Sequence, residues 1–317
     1  MHKAESFLCT TWCLYDFVVR KVPAERVLIT GARGLVGRAL TRRLAADGAM
    51  VFALDREMPG RADRSDIPDG VEYNEIDLRY AAGIKRVVES ASPAWVAHLA
   101  AVGVTDPFLP IGEALRGNVE ATINLLRAVA GRCRVVAART PGEIEAINTY
   151  AASKAAAWQF CRMFHRTEGW PVVGAMLFQV YGPNPSARTV LGAALKAAMA
   201  GESFPMTSGE QKRDWIYIDD VVNGIICAAR ADSRVDGETV ELGTGIGIAV
   251  RDVVARLFEI VGKGRPMIGA LPQRPGEPPE QIADADRAER LIGWRAKIGI
   301  DEGLRRLTST DVSDGTD

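Results

Sequence analysis

The sequence is short of the residues on which many enzymes depend. Its 317 residues include only three histidines, His2, His98 and His165. They lie far apart, so a histidine-based metal site or a Ser-His-Asp triad is poorly supplied. The five cysteines are odd in number and scattered. Only Cys9 and Cys13 are close, and nothing nearby completes a metal-ligand set; a reducing, cytoplasmic setting is the expectation. No apolar run approaches the roughly 20 residues that span a bilayer. An excess of charge is missing too. Lys and Arg total 39 against 40 Asp and Glu, which leaves no electrostatic footprint for nucleic acid or an anionic membrane. His98, at the end of the apolar run "VAHLAA", reads as a satisfied core residue rather than a ligand.

What is present is an alternation. From Arg26 onward, short buried strands ("RVLIT", "MVFALD", "VEYNEID", "AWVAHLA", "CRVVAA", "PVVGAMLF") alternate with amphipathic helices. One helix is expected over about 111–130, another through "TYAASKAAAWQFCRMFHRT". This is the signature of an α/β fold, a doubly wound parallel-sheet Rossmann domain. After about Gln179 the rhythm breaks into Pro- and Gly-rich stretches with shorter helices, which reads as a smaller, irregular α/β substrate domain. The expected organisation is residues 25–178 for the dinucleotide-binding domain and 179–309 for the substrate domain, with some later segments returning to the sheet. Residues 1–24 read as an extension without signal-peptide features, and 310–317 as a frayed tail.

"VLITGARGLVGRAL" places Gly31, Gly34 and Gly37 between a strand and a helix. The first glycine permits the turn, the second lets backbone approach a pyrophosphate, and the third allows helix–strand packing. The N–H groups at the helix start, those of Leu35, Val36 and Gly37, face the phosphates. The next strand ends in Asp55, suited to accept from the adenosine ribose hydroxyls and so to favour NAD. Arg33 and Arg56 blur that preference, because either reaches toward a 2′-phosphate and leaves NADP open.

Tyr150 and Lys154, spaced i and i+4, share one face of the helix that follows the fifth strand. Hydride transfer at a carbinol carbon needs the hydroxyl proton removed in the same step. Free tyrosine, with a pKa near 10, is a poor base at neutral pH. A nearby ammonium and an oxidised nicotinamide both favour its phenolate, and the lysine also suits a cofactor ribose hydroxyl.

Taken in order, the glycine loop, Tyr150 and Lys154, "HLAA", "GNVEATINLLRAV", "VYGPN", "KRDWIYIDDV", "ELGTG" and "RPGEPPEQIADADRAERLIGW" resemble the extended short-chain dehydrogenase/reductases, in particular the nucleotide-sugar epimerase and dehydratase group. The resemblance runs from about Arg26 to Leu307. It implies that Asp77 and Leu78 flank the adenine, that Leu99, Ala100 and Ala101 line the cofactor, and that Asn118 is a structural, cofactor-side asparagine. It also implies that Arg213 and Arg274 hold the diphosphate of a nucleotide sugar and that Gln179 stands at a substrate contact. Phe204 is either a stacking partner for the nucleotide base or a packing residue. Relatives of this kind pair two long helices in a homodimer.

The chain departs from the resembled pattern at "VVAARTPGEIEAINTYAASK". Where relatives end the strand in serines, this chain has Ala138 and Arg139, leaving Thr140 as the catalytic hydroxyl. Arg139 is either solvent-facing or a source of charge in the cleft. The dehydratases follow their threonine with Asp-Glu; here Pro141-Gly142-Glu143 follows, which disfavours a dehydratase. The expectation is an epimerase working at C4 of a nucleotide-linked hexose through bound NAD, with Tyr150 as acid and base. An NAD(P)H-dependent 4-ketoreductase is the near alternative, and a non-catalytic dinucleotide-binding protein the alternative of another class.

Overall fold

The computed structural model describes residues 24–57, 68–106, 108–273 and 276–309. The expected N-terminal extension, the C-terminal tail and Arg274 therefore lie outside the described residues, apart from Ala24. A seven-stranded sheet forms the body. It takes β1 (Arg26–Thr30), β2 (Met50–Asp55), β3 (Val71–Glu75), β4 (Trp95–His98), β5 (Arg134–Arg139) and β6 (Val172–Leu177) from the first part of the chain. After β7 (Gln179–Tyr181), β8 (Ser203–Pro205) and β9 (Lys212–Tyr217), the chain returns with β10 (Thr239–Leu242) to complete the sheet's edge beside β6. The order is β10-β6-β5-β4-β1-β2-β3, and every pairing is parallel.

Alternate residues of a strand point to opposite faces, so a sheet buried on both sides needs apolar residues at consecutive positions. Val27, Ile29, Val51, Ala53 and Val136 pack into one core. Their neighbours Leu28, Phe52, Leu54, Val96 and Val135 pack into the other. Helices α1 (Leu35–Ala46), α2 (Ala81–Ala91), α3 (Ile111–Ala114), α4 (Ala121–Val129) and α5 (Thr149–Glu168) cover these faces along with later helices. The expected single helix over 111–130 is interrupted: α3 and α4 are joined by a π-helical turn, Leu115–Glu120.

The later chain builds smaller sheets. Strands β7 and β11 (Gly247–Ala249) flank β9, which also pairs with β13 (Glu280–Gln281), while β12 (Arg265–Met267) pairs with β8. Asp214 on β9 is buried and ties this region together. Its carboxylate accepts from the N–H and hydroxyl of Thr244 and from the N–H groups of Gly245 and Ala283.

Candidate active site

All strands of the main sheet run the same way, so the residues that follow them meet at one edge. The chain winds from β1 outward through β2 and β3, then crosses back to β4 and winds outward the other way. The crevice between β1 and β4 is the topological switch point, where ligands of such sheets bind. The glycine loop follows β1, Asp55 ends β2, Leu99–Val102 follows β4 and Thr140 follows β5.

Two glycines are forced by contact. Gly31 has φ +71°, and a Cβ there would lie 2.7 Å from the Ala100 nitrogen. A Cβ on Gly37 would lie 2.2 Å from the Gly31 carbonyl oxygen. The loop is thus pressed between the start of α1 and the segment after β4. Gly34 is the N-cap of α1 and supplies no side-chain cap, and the first turn holds no acid. The leading N–H groups of the helix, Leu35 to Gly37, are left for an anion.

Asp55 is held by backbone on both sides. Its carboxylate accepts from the N–H of Arg33 at 3.0 Å and from that of Arg56 at 2.8 Å. The Arg33 guanidinium pairs with Glu57 at 3.0 Å, a residue that sequence reasoning passed over because the two are 24 positions apart. Farther along, Asp77 is gripped by Arg79 through its N–H and guanidinium. That hydrogen bonding holds the Asp77 carboxyl below the usual carboxylate range. Leu78 beside it is buried, its carbonyl accepting from the Asn124 amide at 3.1 Å.

A hydrogen-bonded chain crosses the interior behind the crevice. Ala100 N–H donates to the Thr30 hydroxyl, which meets His98 Nδ1 at 2.8 Å. His98 Nε2 meets the Thr122 hydroxyl at 2.9 Å, and that hydroxyl donates to the Asn118 carbonyl. The Thr122 hydroxyl spends its proton on the Asn118 carbonyl and so accepts from His98 Nε2–H, and the neutral ring then takes the Thr30 hydroxyl proton on Nδ1. Burial, then the nearby Lys154 charge, push the imidazole down to about 3. It is a neutral core residue, as its setting in the sequence implied. Asn118 itself bonds both Val102 backbone groups and donates to Ser153 Oγ, which donates to the Tyr150 carbonyl. Ser153 was not singled out in the sequence, although its place between Tyr150 and Lys154 was visible.

Helix α5 starts at an Asn148 cap that accepts from Ala151 N–H at 2.8 Å. This sets Tyr150 in the first turn and Lys154 in the next. Lys154 is buried at 5% exposure, and its ammonium has no hydrogen-bond or ion-pair partner among the described residues. Burial lowers its pKa, against the raising influence of Glu143. Tyr150 differs from the expectation. In the protein alone its pKa is pushed up to about 12, first by burial and then by Glu143. Burial and the Glu143 charge both oppose the phenolate in the protein alone, and the positive charge of an oxidised nicotinamide would favour it.

Thr140 closes β5 and caps a short 3₁₀ turn, Pro141–Glu143. Its N–H donates to Glu143 Oε1 at 3.0 Å. Arg139 neither faces solvent nor adds a free charge to the cleft: its guanidinium pairs with Glu143 at 2.8 Å.

The substrate-side residues are more scattered. Gln179 begins β7, next to Trp215 of β9. Phe204 on β8 stacks against Phe258, ring centroids 6.5 Å apart. Arg213 is buried, donating to Glu277 at 2.7 Å and to the carbonyls of Lys212 and Pro278. Among the described residues no cluster of three or more His, Cys, Asp or Glu is placed to hold a metal ion.

Residues 27–243 match the model of the NAD-dependent epimerase/dehydratase family. The chain belongs to that family. Among curated proteins it is similar to the UDP-glucose 4-epimerase of Azospirillum brasilense, 28% identical over 89% of this chain and 90% of that one. It is also similar to UDP-glucose 4-epimerase 2 of Arabidopsis thaliana, 25% identical over 90% and 94%. Among solved structures, the UDP-glucose 4-epimerase of Thermus thermophilus in complex with NAD superposes with a TM-score of 0.76 at 28% identity, covering 89% of this chain and 97% of that one. The dTDP-glucose 4,6-dehydratase of Streptomyces venezuelae shares the fold, with a TM-score of 0.76 at 23% identity over 89% and 95%.

The residues present fit NAD, the cofactor of the family. The uncapped helix start and the two glycines that leave no room for a Cβ follow β1 at the switch-point crevice, and the Lys154 ammonium on α5 is buried with no hydrogen-bond or ion-pair partner among the described residues.

Proposed function

We propose that this protein is an epimerase acting at C4 of a nucleotide-linked hexose. Bound NAD supplies the hydride acceptor and donor. Tyr150 takes the carbinol proton and returns it, and the Thr140 hydroxyl orients that oxygen. Lys154 holds a ribose hydroxyl and favours the phenolate. Arg213, fixed in place by Glu277, and Arg274 hold the diphosphate, with Gln179 and Phe204 bordering the sugar and base. The assembly is a homodimer through α4 and α5, in a cytoplasmic setting.

One observation carries the choice of reaction. The only carboxylate in the turn after Thr140 belongs to Glu143, and it is committed to the Arg139 guanidinium and the Thr140 N–H. A carboxylate so engaged is poorly suited to the acid–base work of eliminating water, whereas hydride transfer with Tyr150 needs none. The similar UDP-glucose 4-epimerases support the same reading.

The test is to purify the protein without added nucleotide, denature it and identify what is released, then to incubate the intact protein with UDP-glucose and look for UDP-galactose. Stoichiometric NAD(H) with interconversion is the expected result. An empty protein that prefers NADPH replaces this reading with a 4-ketoreductase; the Arg33–Glu57 pair, which offsets the charge a 2′-phosphate needs, argues against it. Binding without turnover of any nucleotide hexose supports a non-catalytic role.

A further inference from the structure

Arg139 is a cation in an expensive place. Its side chain is 14% exposed and that of Glu143 is 1% exposed. Two guanidinium nitrogens, Nε and Nη2, both approach Glu143 Oε2 at 2.8 Å. The remaining arm donates to the Thr239 hydroxyl on β10 at 2.5 Å, and the guanidinium carbon lies 4.7 Å over the Trp158 ring. Room for this arrangement is made by Gly174 on β6, where a Cβ would sit 2.8 Å from Arg139 Cδ and 3.0 Å from the Trp158 ring. Four separate elements are thus shaped around one side chain. The other carboxylate oxygen of Glu143 takes the Thr140 N–H.

The pair sits beneath the catalytic helix. A Cβ on Gly142 would lie 3.5 Å from the Ala151 Cβ, so the Pro-Gly-Glu turn packs on the first turn of α5. The charged and titratable groups that feel Glu143 are Arg139 from β5 and Tyr150, Lys154 and Cys161 from α5. His98 on β4 meets the same cluster through Lys154.

We propose that Arg139 is a positioning residue for the reaction: by closing an ion pair with Glu143 under the first turn of α5, it offsets part of the buried negative charge that opposes the Tyr150 phenolate. The inference rests on Tyr150 being the acid–base, but its physical content does not need a substrate. An uncompensated carboxylate in a low-dielectric interior acts strongly on its neighbours, and a phenolate beside it is disfavoured. An uncompensated guanidinium acts the other way.

The experiment is a charge cycle read on the intact protein. Arg139→Gln, Glu143→Gln and the double variant are titrated by the ultraviolet band of phenolate, with Tyr150→Phe subtracted in each background to isolate Tyr150. Glu143→Gln is expected to lower the Tyr150 pKa by about one unit, a tenfold change in proton affinity. Arg139→Gln is expected to raise it, because the Glu143 carboxylate then acts on Tyr150 without its counter-ion. The double variant is expected to fall between Glu143→Gln and the parent. With NAD bound, the acid limb of the pH dependence of kcat/KM, which reports the base that must lose its proton, should move in the same two directions. Shifts of the same sign in both single variants, or no shift in Glu143→Gln, overturn the proposal, since loss of packing alone has no reason to move the two in opposite directions. If Arg139→Gln does not fold, the comparison of Glu143→Gln with the double variant still decides the matter. If the charge cycle holds while no nucleotide hexose turns over, it is the proposed reaction that fails.

Discussion

At Tyr150, desolvation and the Glu143 charge hold the proton on, pushing the pKa up to about 12 in the protein alone, while the proposed reaction needs it to leave at neutral pH. Tyr150→Phe is therefore expected to reduce turnover by three orders of magnitude or more, on the order of 4 kcal/mol of barrier, while retaining NAD; steady-state rates and nucleotide release on the same sample check both halves. His98 gives a second prediction. Its pKa is depressed from 6.5 to about 3, so the unfolded chain binds the proton that the folded chain refuses. Stability from this group is whole above about pH 6.5 and falls as pH drops toward 3, by on the order of 1.4 kcal/mol per pH unit. Denaturant titrations from pH 7 to pH 4 should show a steeper loss for the parent than for His98→Asn.

At the level of elements, the glycine loop was readable because its constraints are local: strand, turn and helix start lie within 14 residues of sequence. Gly31→Ala is expected to destabilise the fold by roughly 1–3 kcal/mol, because its φ of +71° and the Ala100 backbone both exclude a Cβ. It should also abolish NAD binding, measured by calorimetry. The course of α5 was equally plain through the i, i+4 pair, although its Asn148 cap was not read. The π-helical turn was not. It is set by partners outside the segment: the Asn118 side chain reaches Val102 and Ser153, and Gly117 lies where a Cβ would be 2.6 Å from Val102 Cγ2. The role of Arg139 was hidden for the same reason, since Gly174 and Thr239 stand 35 and 100 positions further along the chain. Sequence patterns report a residue's own element well and its distant neighbours poorly.

Across the whole molecule, exposed apolar residues recur, and three of them lie on the flank expected at the dimer contact. Leu115 is 50% exposed, Phe160 38% and Met163 39%, all on the π turn and α5. If this flank is the homodimer contact, Phe160→Glu is expected to yield monomers by analytical ultracentrifugation without loss of helical circular dichroism. The tie made by Asp214 on β9, which reaches the segment after β10 and the approach to the helix Ala285–Ile292, holds these later pieces to one another. The polar chain from Ala100 through Thr30, His98 and Thr122 to Asn118 carries a different implication. All its donors point the same way, and neither end can be inverted. It links two sides of the crevice, since Asn118 passes the run on to Ser153 on α5. A ligand that shifts the segment after β4 is therefore expected to shift the first turn of α5 with it, the two sides closing like one jaw.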